Sequence, residues 1–217
     1  LRELAEQAAD MGATLKNVEM DVIDGEVGLK LIKPGSEFEM SVPPEMLLGL
    51  GEIELATLKL SKNSSVSAGL KPWFEAYLSA LITDEGREKL ADLRKGIEAA
   101  NLESSTKFRG LGLANFLTTN AKPEALNRAL LARHVVGTAK GPVLLPVMGA
   151  ARQGSKAATL SITAGGSFRA AGKEDDEVCI SAGRFDALHA LNTQGRALSF
   201  STSFSVPLNL PLPDGRK

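Results

Sequence analysis

The residue types that usually carry chemistry are few in this chain and are widely separated. The two histidines, His134 and His189, lie far apart, and no Cys, His and carboxylate cluster has the spacing of metal ligands. The single cysteine, Cys179, lies in an apolar strand-like run without a flanking basic cluster, which predicts a buried, inert thiol. The only tyrosine, Tyr77, follows Trp73 on the apolar face of a predicted helix and is interpreted as a packing residue. No Gly-x-Ser-x-Gly elbow marks a nucleophilic serine, and no strand-to-helix glycine loop marks a phosphate site.

The composition is that of an ordinary soluble domain. The chain has 217 residues, of which 43% are hydrophobic and 24% charged, with a net charge of −1. Because no strong positive field exists, we expect no nucleic-acid partner, and no apolar run approaches the roughly 20 residues of a membrane helix. One cysteine excludes an internal disulfide, and the charged, amphipathic first dozen residues do not resemble a signal peptide. We therefore expect an intracellular, reducing location, in cytoplasm or organelle stroma.

The first part of the chain predicts short strands and turns. Residues 14–32 alternate around Asp24-Gly25, the strongest short signal for a β-hairpin, and a third strand is predicted from Glu37 to Val42. Pro43-Pro44 then opens a short helix over residues 45–50. Residues 51–60 alternate only loosely and favour no single element.

The middle of the chain predicts helices, and the last third returns to strands. Helices are predicted over residues 72–81, 83–100, 106–117 and 124–136. Strands are predicted over residues 143–148, 159–163, 167–170, 177–181 and 198–206, with a short helix over 185–191. The charge run Lys173–Glu177 is interpreted as a solvated turn, with an acidic docking patch as the alternative.

The order of these segments resembles the SET-domain methyltransferases, especially the Rubisco large-subunit type. Leu144-Leu145-Pro146-Val147-Met148, Asp176 to Gly183 and a Leu-rich helix follow the order of that family's C-terminal half. In the first half, Gly25 stands at the family spacing before Ile32, Gly28 takes an alanine position, and Val42-Pro43 matches a Val-Pro pair. The resemblance implies one α+β domain over residues 1–217, of several small, mostly antiparallel twisted sheets with a helical insert. Its parts would be 14–70, the insert 71–137, 143–206, and a tail over 207–217.

The positions that carry chemistry in that family differ here. The family's Asp-x-x-Asn-His becomes Gly149-Ala150-Ala151-Arg152-Gln153, Ser-Tyr-Gly becomes Ser181-Ala182-Gly183, and Tyr-Gly-Phe becomes Gln194-Gly195-Arg196. Ala182 has no hydroxyl to orient the reacting groups, and the first glycine of the cofactor loop is Ile23. An arginine near a sulfonium would repel it. If S-adenosylmethionine binding were retained, the resemblance would assign it to Gly25, Gly28, Arg152 and Gln153.

These differences favour a SET-like domain that no longer performs ordinary methyl transfer, with no catalytic residues, no metal site and no cofactor. We expect it to bind another protein or a peptide segment in the old substrate groove, with Arg184 and Arg196 supplying local positive charge. The alternative is a protein-lysine methyltransferase with a divergent site, which would use S-adenosylmethionine. A third interpretation is an unrelated α+β protein.

Overall fold

The chain folds into several small β-sheets with helices packed beside them. Its computed structural model describes residues 1–99, 123–138 and 141–181. Over these ranges the sheets are mostly antiparallel and the helices are interspersed, so the predicted α+β class is confirmed. No helix among the described residues is both long enough and apolar enough to cross a membrane.

The α-helices are α1 (Arg2–Asp10), α2 (Lys71–Leu81), α3 (Asp84–Ala99) and α4 (Pro123–Leu131). Short 3-10 helices cover Pro44–Met46, Leu50–Glu52, Ala132–His134 and Met148–Ala150. The first strands are β1 (Thr14–Lys16), β2 (Val18–Ile23), β3 (Glu26–Leu31), β4 (Glu37–Val42), β5 (Leu48–Gly49), β6 (Ile53–Glu54) and β7 (Lys59–Leu60). The later strands are β8 (Val135–Thr138), β9 (Gly141–Leu144), β10 (Arg152–Thr159), β11 (Ser161–Ile162), β12 (Phe168–Lys173) and β13 (Cys179–Ser181).

The predicted hairpin forms at Asp24-Gly25 and joins β2 to β3. Asp24 and Gly25 have φ values of +51° and +75°, the left-handed pair that a two-residue hairpin turn requires. Strand alternation then separates two faces. Met20 and Leu29 are buried in the core, while Asp21 on the other face pairs with Lys30 at 2.6 Å.

A four-stranded sheet with the order β1-β4-β12-β11 joins the two ends of the described chain. Strands β4 and β12 pair antiparallel from Phe168 opposite Val42 to Lys173 opposite Glu37. Strand β5 likewise pairs with β9. Inward-facing residues of this sheet, such as Met40 and Ala170, lie in one continuous hydrophobic core. Segments before residue 50 and after residue 140 thus share sheets and a core.

Three predicted elements differ from the structure. The helix predicted over residues 45–50 is a 3-10 turn that ends at Met46 before β5. The helix predicted over 124–136 ends at Leu131, because the β-branched pair Val135-Val136 continues as strand β8. The strand predicted over 143–148 ends at Leu144, where a proline and a turn interrupt it. The elements predicted over 106–117, 185–191 and 198–206 lie outside the described residues.

The acidic run after β12 has two properties. Its side chains at Asp175 and Asp176 are exposed, as a solvated turn predicts. Its backbone, however, lies along β3: Leu31 N donates to Asp176 O at 2.7 Å, and Val178 N donates to Leu29 O at 2.8 Å. The run therefore lies beside β3 as a third backbone segment next to the two strands of the hairpin. This places Glu177 beside the hairpin.

Candidate functional site

The structure places two of the four predicted cofactor positions, Gly25 and Arg152, on either side of Asp24. Gly25 is at the tip of the β2–β3 hairpin, Gly28 lies in β3, and Arg152 opens β10. Arg152 Nη2 donates to Asp24 Oδ2 at 2.7 Å, which ties the start of β10 to the hairpin tip. Gln153 follows in β10, paired through its backbone with Ile180 of the parallel strand β13.

Arg152 is held between two carboxylates. Its Nε lies 2.7 Å from Glu177 Oε1, in addition to the contact with Asp24. The hydrogen bond from Arg152 holds the pKa of Asp24 below its ordinary value. Burial alone would lower the pKa of Arg152, but the bond to Asp24 and the charge of Glu177 raise it. The guanidinium charge is therefore largely compensated, and its repulsion of a cation is weaker than the sequence alone predicts.

The hairpin tip is packed against the start of α3. Thr83 Oγ1 donates to Gly25 O at 2.5 Å and accepts from Gly86 N at 3.0 Å, so it also caps the helix. A Cβ on Gly25 would lie 2.1 Å from the Cδ of Glu85. Lys89 Nζ donates to the backbone oxygen of Asp24. The space on this side of the loop is filled by the protein's own side chains.

Ile23 and Gly28 form a compensating pair on the same hairpin. A Cβ on Gly28 would lie 2.8 Å from Ile23 Cδ1, so the isoleucine occupies the space an alanine methyl would need. The resemblance matches Ile23 to a glycine and Gly28 to an alanine. The larger residue at position 23 requires a smaller residue at position 28. The two differences from the family pattern are therefore explained by one packing contact.

A second close approach explains Gly149, which matches the family's aspartate. A Cβ on Gly149 would lie 2.3 Å from the backbone oxygen of His134. His134 is buried, and its Nδ1 donates to Gly149 O at 3.1 Å, so it packs rather than presenting a free imidazole. The preceding residue, Arg133, is buried and forms an ion pair with Glu26 of β3. A side chain at position 149 has no room.

The only tyrosine has a structural partner that the sequence did not predict. Tyr77 is fully buried, stacks on Trp73 with ring centroids 5.2 Å apart, and accepts a hydrogen bond from Val147 N at 2.8 Å. Val147 has φ +60° and ψ −60°, and Met148 N donates to Pro146 O at 2.7 Å. These values define a strained γ-turn. Burial raises the pKa of Tyr77, so its hydroxyl stays protonated.

The remaining candidate groups do not add a reactive centre. Cys179 is half-buried, and burial, followed by the charges of Glu177 and Glu174, raises its pKa, so a thiolate is disfavoured as predicted. Within residues 1–99, 123–138 and 141–181, no group of Cys, His and carboxylates could hold a metal ion. Ala182, Gln194 and the predicted partner-binding residues Arg184 and Arg196 lie outside the described residues.

Comparison with known proteins gave structural similarity only. No protein-family model matches the chain, and no curated protein matches it. Among solved structures, it is similar to the SET domain of LSMT bound to lysine and AdoHcy, with 12% identity and a TM-score of 0.43 over 88% of this chain and 56% of that one. It is also similar to Rubisco LSMT bound to AdoMet, with 13% identity and a TM-score of 0.45 over 88% and 55%. A third match is Rubisco LSMT bound to sinefungin and monomethyllysine, with 12% identity and a TM-score of 0.46 over 91% and 56%. The chain spans just over half the length of these solved chains.

Side chains of this chain lie against the predicted cofactor positions. Glu85 fills the space beside Gly25, and Ile23 fills the space beside Gly28. The Arg152 side chain is engaged with Asp24 and Glu177. A cofactor at these positions would meet the side chains of Glu85, Ile23 and Arg152.

Proposed function

We propose that this chain is a SET-like module that binds another protein or a peptide and does not perform ordinary methyl transfer. The observation that carries the proposal is the closed hairpin tip. Ile23, Asp24 and Gly25 are successive residues, and each is in contact with another part of the chain: Gly28, Arg152 and Glu85.

Methyl transfer needs aligned reactants more than it needs a particular fold. A lysine amine has to face a methyl sulfonium closely and in line, and polar groups have to be fixed where charge changes. The sequence offers Ala182 where the family has its tyrosine, and the sole tyrosine is committed to Val147. Loss of several members of one catalytic unit is not reversed one residue at a time.

Partner binding is the function that the remaining features favour. Strand edges can take up an extended peptide by adding a strand, and this does not require a cofactor. The candidate surface is residues 183–196 with the neighbouring strand β13, where Arg184 and Arg196 add positive charge. The proposed partner is an acidic or extended segment of another protein, and its binding weakens with salt because exposed charges are screened.

The first test is calorimetry with S-adenosylmethionine. We expect no measurable binding to the wild-type chain, and none to Ala182→Tyr. The double variant Ile23→Gly with Gly28→Ala is measured in the same way, because it reopens the loop without creating a steric conflict. A low-micromolar Kd for the wild-type chain, or methyl transfer by Ala182→Tyr, contradicts the proposal and favours the methyltransferase alternative.

The second test is capture of partners from the native extract. Arg184→Ala with Arg196→Ala should reduce the yield of specific partners several-fold. The matched control is Arg2→Ala with Arg128→Ala, which removes the same charge from two exposed helical positions. Equal yields from both double variants would show that the groove is not the interface.

A further inference from the structure

We infer that Arg152 anchors a carboxylate of the incoming acidic segment, and that Asp24 holds that place in the free protein. The inference rests on the proposed function and deepens it, because it names an anchor among the described residues and an internal competitor for it. It depends on the geometry of one guanidinium and on the exposure of its two partners.

The guanidinium is only partly used. Its Nε faces Glu177 Oε1 at 2.7 Å, and its Nη2 donates to Asp24 Oδ2 at 2.7 Å. Among the described residues, Nη1 of Arg152 has no hydrogen-bond partner, and 38% of the side chain is exposed. Arginine binds a carboxylate best through two parallel N–H groups, and Asp24 engages only one on the outer edge. A carboxylate placed across Nη1 and Nη2 would make the two-point contact that Asp24 does not make.

Asp24 can leave without disturbing the fold. Its side chain is 74% exposed, whereas that of Glu177 is 26% exposed. The backbone at the tip is held separately, by Lys89 at Asp24 O and by Thr83 at Gly25 O. The carboxylate of Asp24 can therefore rotate into solvent while the loop stays in place. Glu177, being more buried, remains to orient the guanidinium.

The charges around Arg152 require that an anionic ligand replace Asp24 and not join it. Around Arg152 lie Asp24, Glu177 and Glu26, and Glu26 is already paired with Arg133. A ligand carboxylate in the place of Asp24 keeps two carboxylates against Arg152, while Asp24 turns into solvent, where its charge is screened. A ligand that joined Asp24 instead of replacing it would add like charge beside it. The ligand class is thus an acidic side chain on an extended peptide, and its affinity in the wild-type protein is reduced by competition.

The experiment measures fluorescence anisotropy with a labelled peptide of alternating Glu and Thr, blocked at both ends, and a Gln–Thr peptide as the neutral control. Asp24→Asn removes the competitor, and asparagine tolerates the positive φ of the turn. We expect about two- to fivefold tighter binding of the Glu–Thr peptide, in line with the small energies of exposed ion pairs. The matched control is Asp21→Asn, which removes the same charge from the same hairpin but from a pair with Lys30, and should not tighten binding.

Arg152 is tested by two variants. Arg152→Gln removes the charge and should lower affinity about tenfold or more, and Arg152→Lys keeps the charge but loses the planar fork, so it should not restore binding. Far-UV circular dichroism checks that each variant is folded, and the lysine variant decides the question if the glutamine variant does not fold. Inorganic phosphate is added as a competitor and should displace the peptide only weakly.

Several results would overturn the inference. They are equal affinities of wild type and Asp24→Asn, equal tightening by Asp21→Asn, full binding by Arg152→Lys, or displacement by phosphate as effective as that by unlabelled peptide. Absence of peptide binding by every variant overturns it as well. If partners are still captured from extract in a manner that depends on Arg184 and Arg196, the proposed function stands while this anchor does not. Loss of both observations removes the proposed function itself.

Discussion

Two hydrogen bonds join distant parts of this chain in contrasting surroundings. Tyr77 accepts from Val147, 70 residues away, in the interior, where both residues are almost completely buried. Arg152 donates to Asp24, 128 residues away, at a surface where the aspartate side chain is 74% exposed. The first contact is neutral and supports a strained turn, and the second is charged and closes a loop.

The surroundings decide what each contact contributes. A buried N–H that loses its partner keeps the full cost of desolvation, about 1–3 kcal/mol. An exposed ion pair gains little, because water and salt already solvate and screen both charges. The buried contact therefore holds the fold, whereas the exposed one can be exchanged. This difference is what makes Asp24–Arg152 a candidate for ligand exchange and Tyr77–Val147 a structural bond.

The largest expected effect is at Gly149, in the buried region. Gly149→Ala places a Cβ 2.3 Å from the backbone oxygen of His134, which cannot move away as a flexible side chain would. We expect a loss of about 3 kcal/mol in the free energy of unfolding, measured by urea denaturation. Gly137→Ala is the control, because its Cβ meets nothing within 4 Å among the described residues. A loss below 1 kcal/mol at Gly149 would show that this turn is softer than the structure indicates.

Tyr77→Phe tests the buried hydrogen bond itself. The phenylalanine ring can keep the stack on Trp73, but Val147 N loses its acceptor. We expect a loss of about 2 kcal/mol in the free energy of unfolding, with an unchanged denaturant slope. Fluorescence of the single tryptophan serves as the control for ring packing. An unchanged stability would mean that the hydroxyl does not support the γ-turn and would remove the contrast between the two contacts.

The sequence predicted local elements well where one short signal dominates. Asp24-Gly25 between alternating runs was sufficient for the hairpin. It failed where the outcome depends on distant partners. Strand β9 ends at Leu144, where Pro146 gives a local signal, but the hydrogen bond from Val147 to Tyr77 that holds the following turn has no local signal.

The sequence named candidate site residues but not their contacts. The resemblance indicated Gly25, Gly28 and Arg152, and the structure places Arg152 against Asp24, next to Gly25. Asp24, Glu85 and Glu177 were not predicted, because their roles depend on α3 and the acidic run lying beside the hairpin. A small clue existed in the sequence: Ile23 and Gly28 depart from the family pattern in opposite directions of size, as expected for a packing pair.

Glu52 is an intermediate case between the buried and the exposed contact. Burial alone would raise its pKa, but hydrogen bonds from Ser65, Gly49 and Ser64 outweigh this and hold the pKa below its ordinary value of 4.5. A carboxylate with a lowered pKa in the folded state stabilises the protein above the unfolded pKa, and this contribution is lost as pH falls. Glu52→Gln should cost about 1 kcal/mol at pH 7. Its stability gap to wild type should narrow below about pH 4.5, and a gap independent of pH would contradict this account.

The smallest expected effect is that of Asp24→Asn on stability, and this null result matters most for function. The Arg152 hydrogen bond lowers the pKa of Asp24, so any contribution of this contact to folding stability is favourable at neutral pH. That contribution declines as the pH falls through the folded-state pKa. The aspartate is too exposed for that contribution to be resolved in urea denaturation at physiological salt. We expect the unfolding midpoints of Asp24→Asn, Asp21→Asn and wild type to coincide, in contrast to the clear loss in Tyr77→Phe. A marked destabilisation by Asp24→Asn alone would show that the Asp24–Arg152 contact stabilises the fold. A ligand that replaced such a contact would lose much of its affinity to the cost of breaking it.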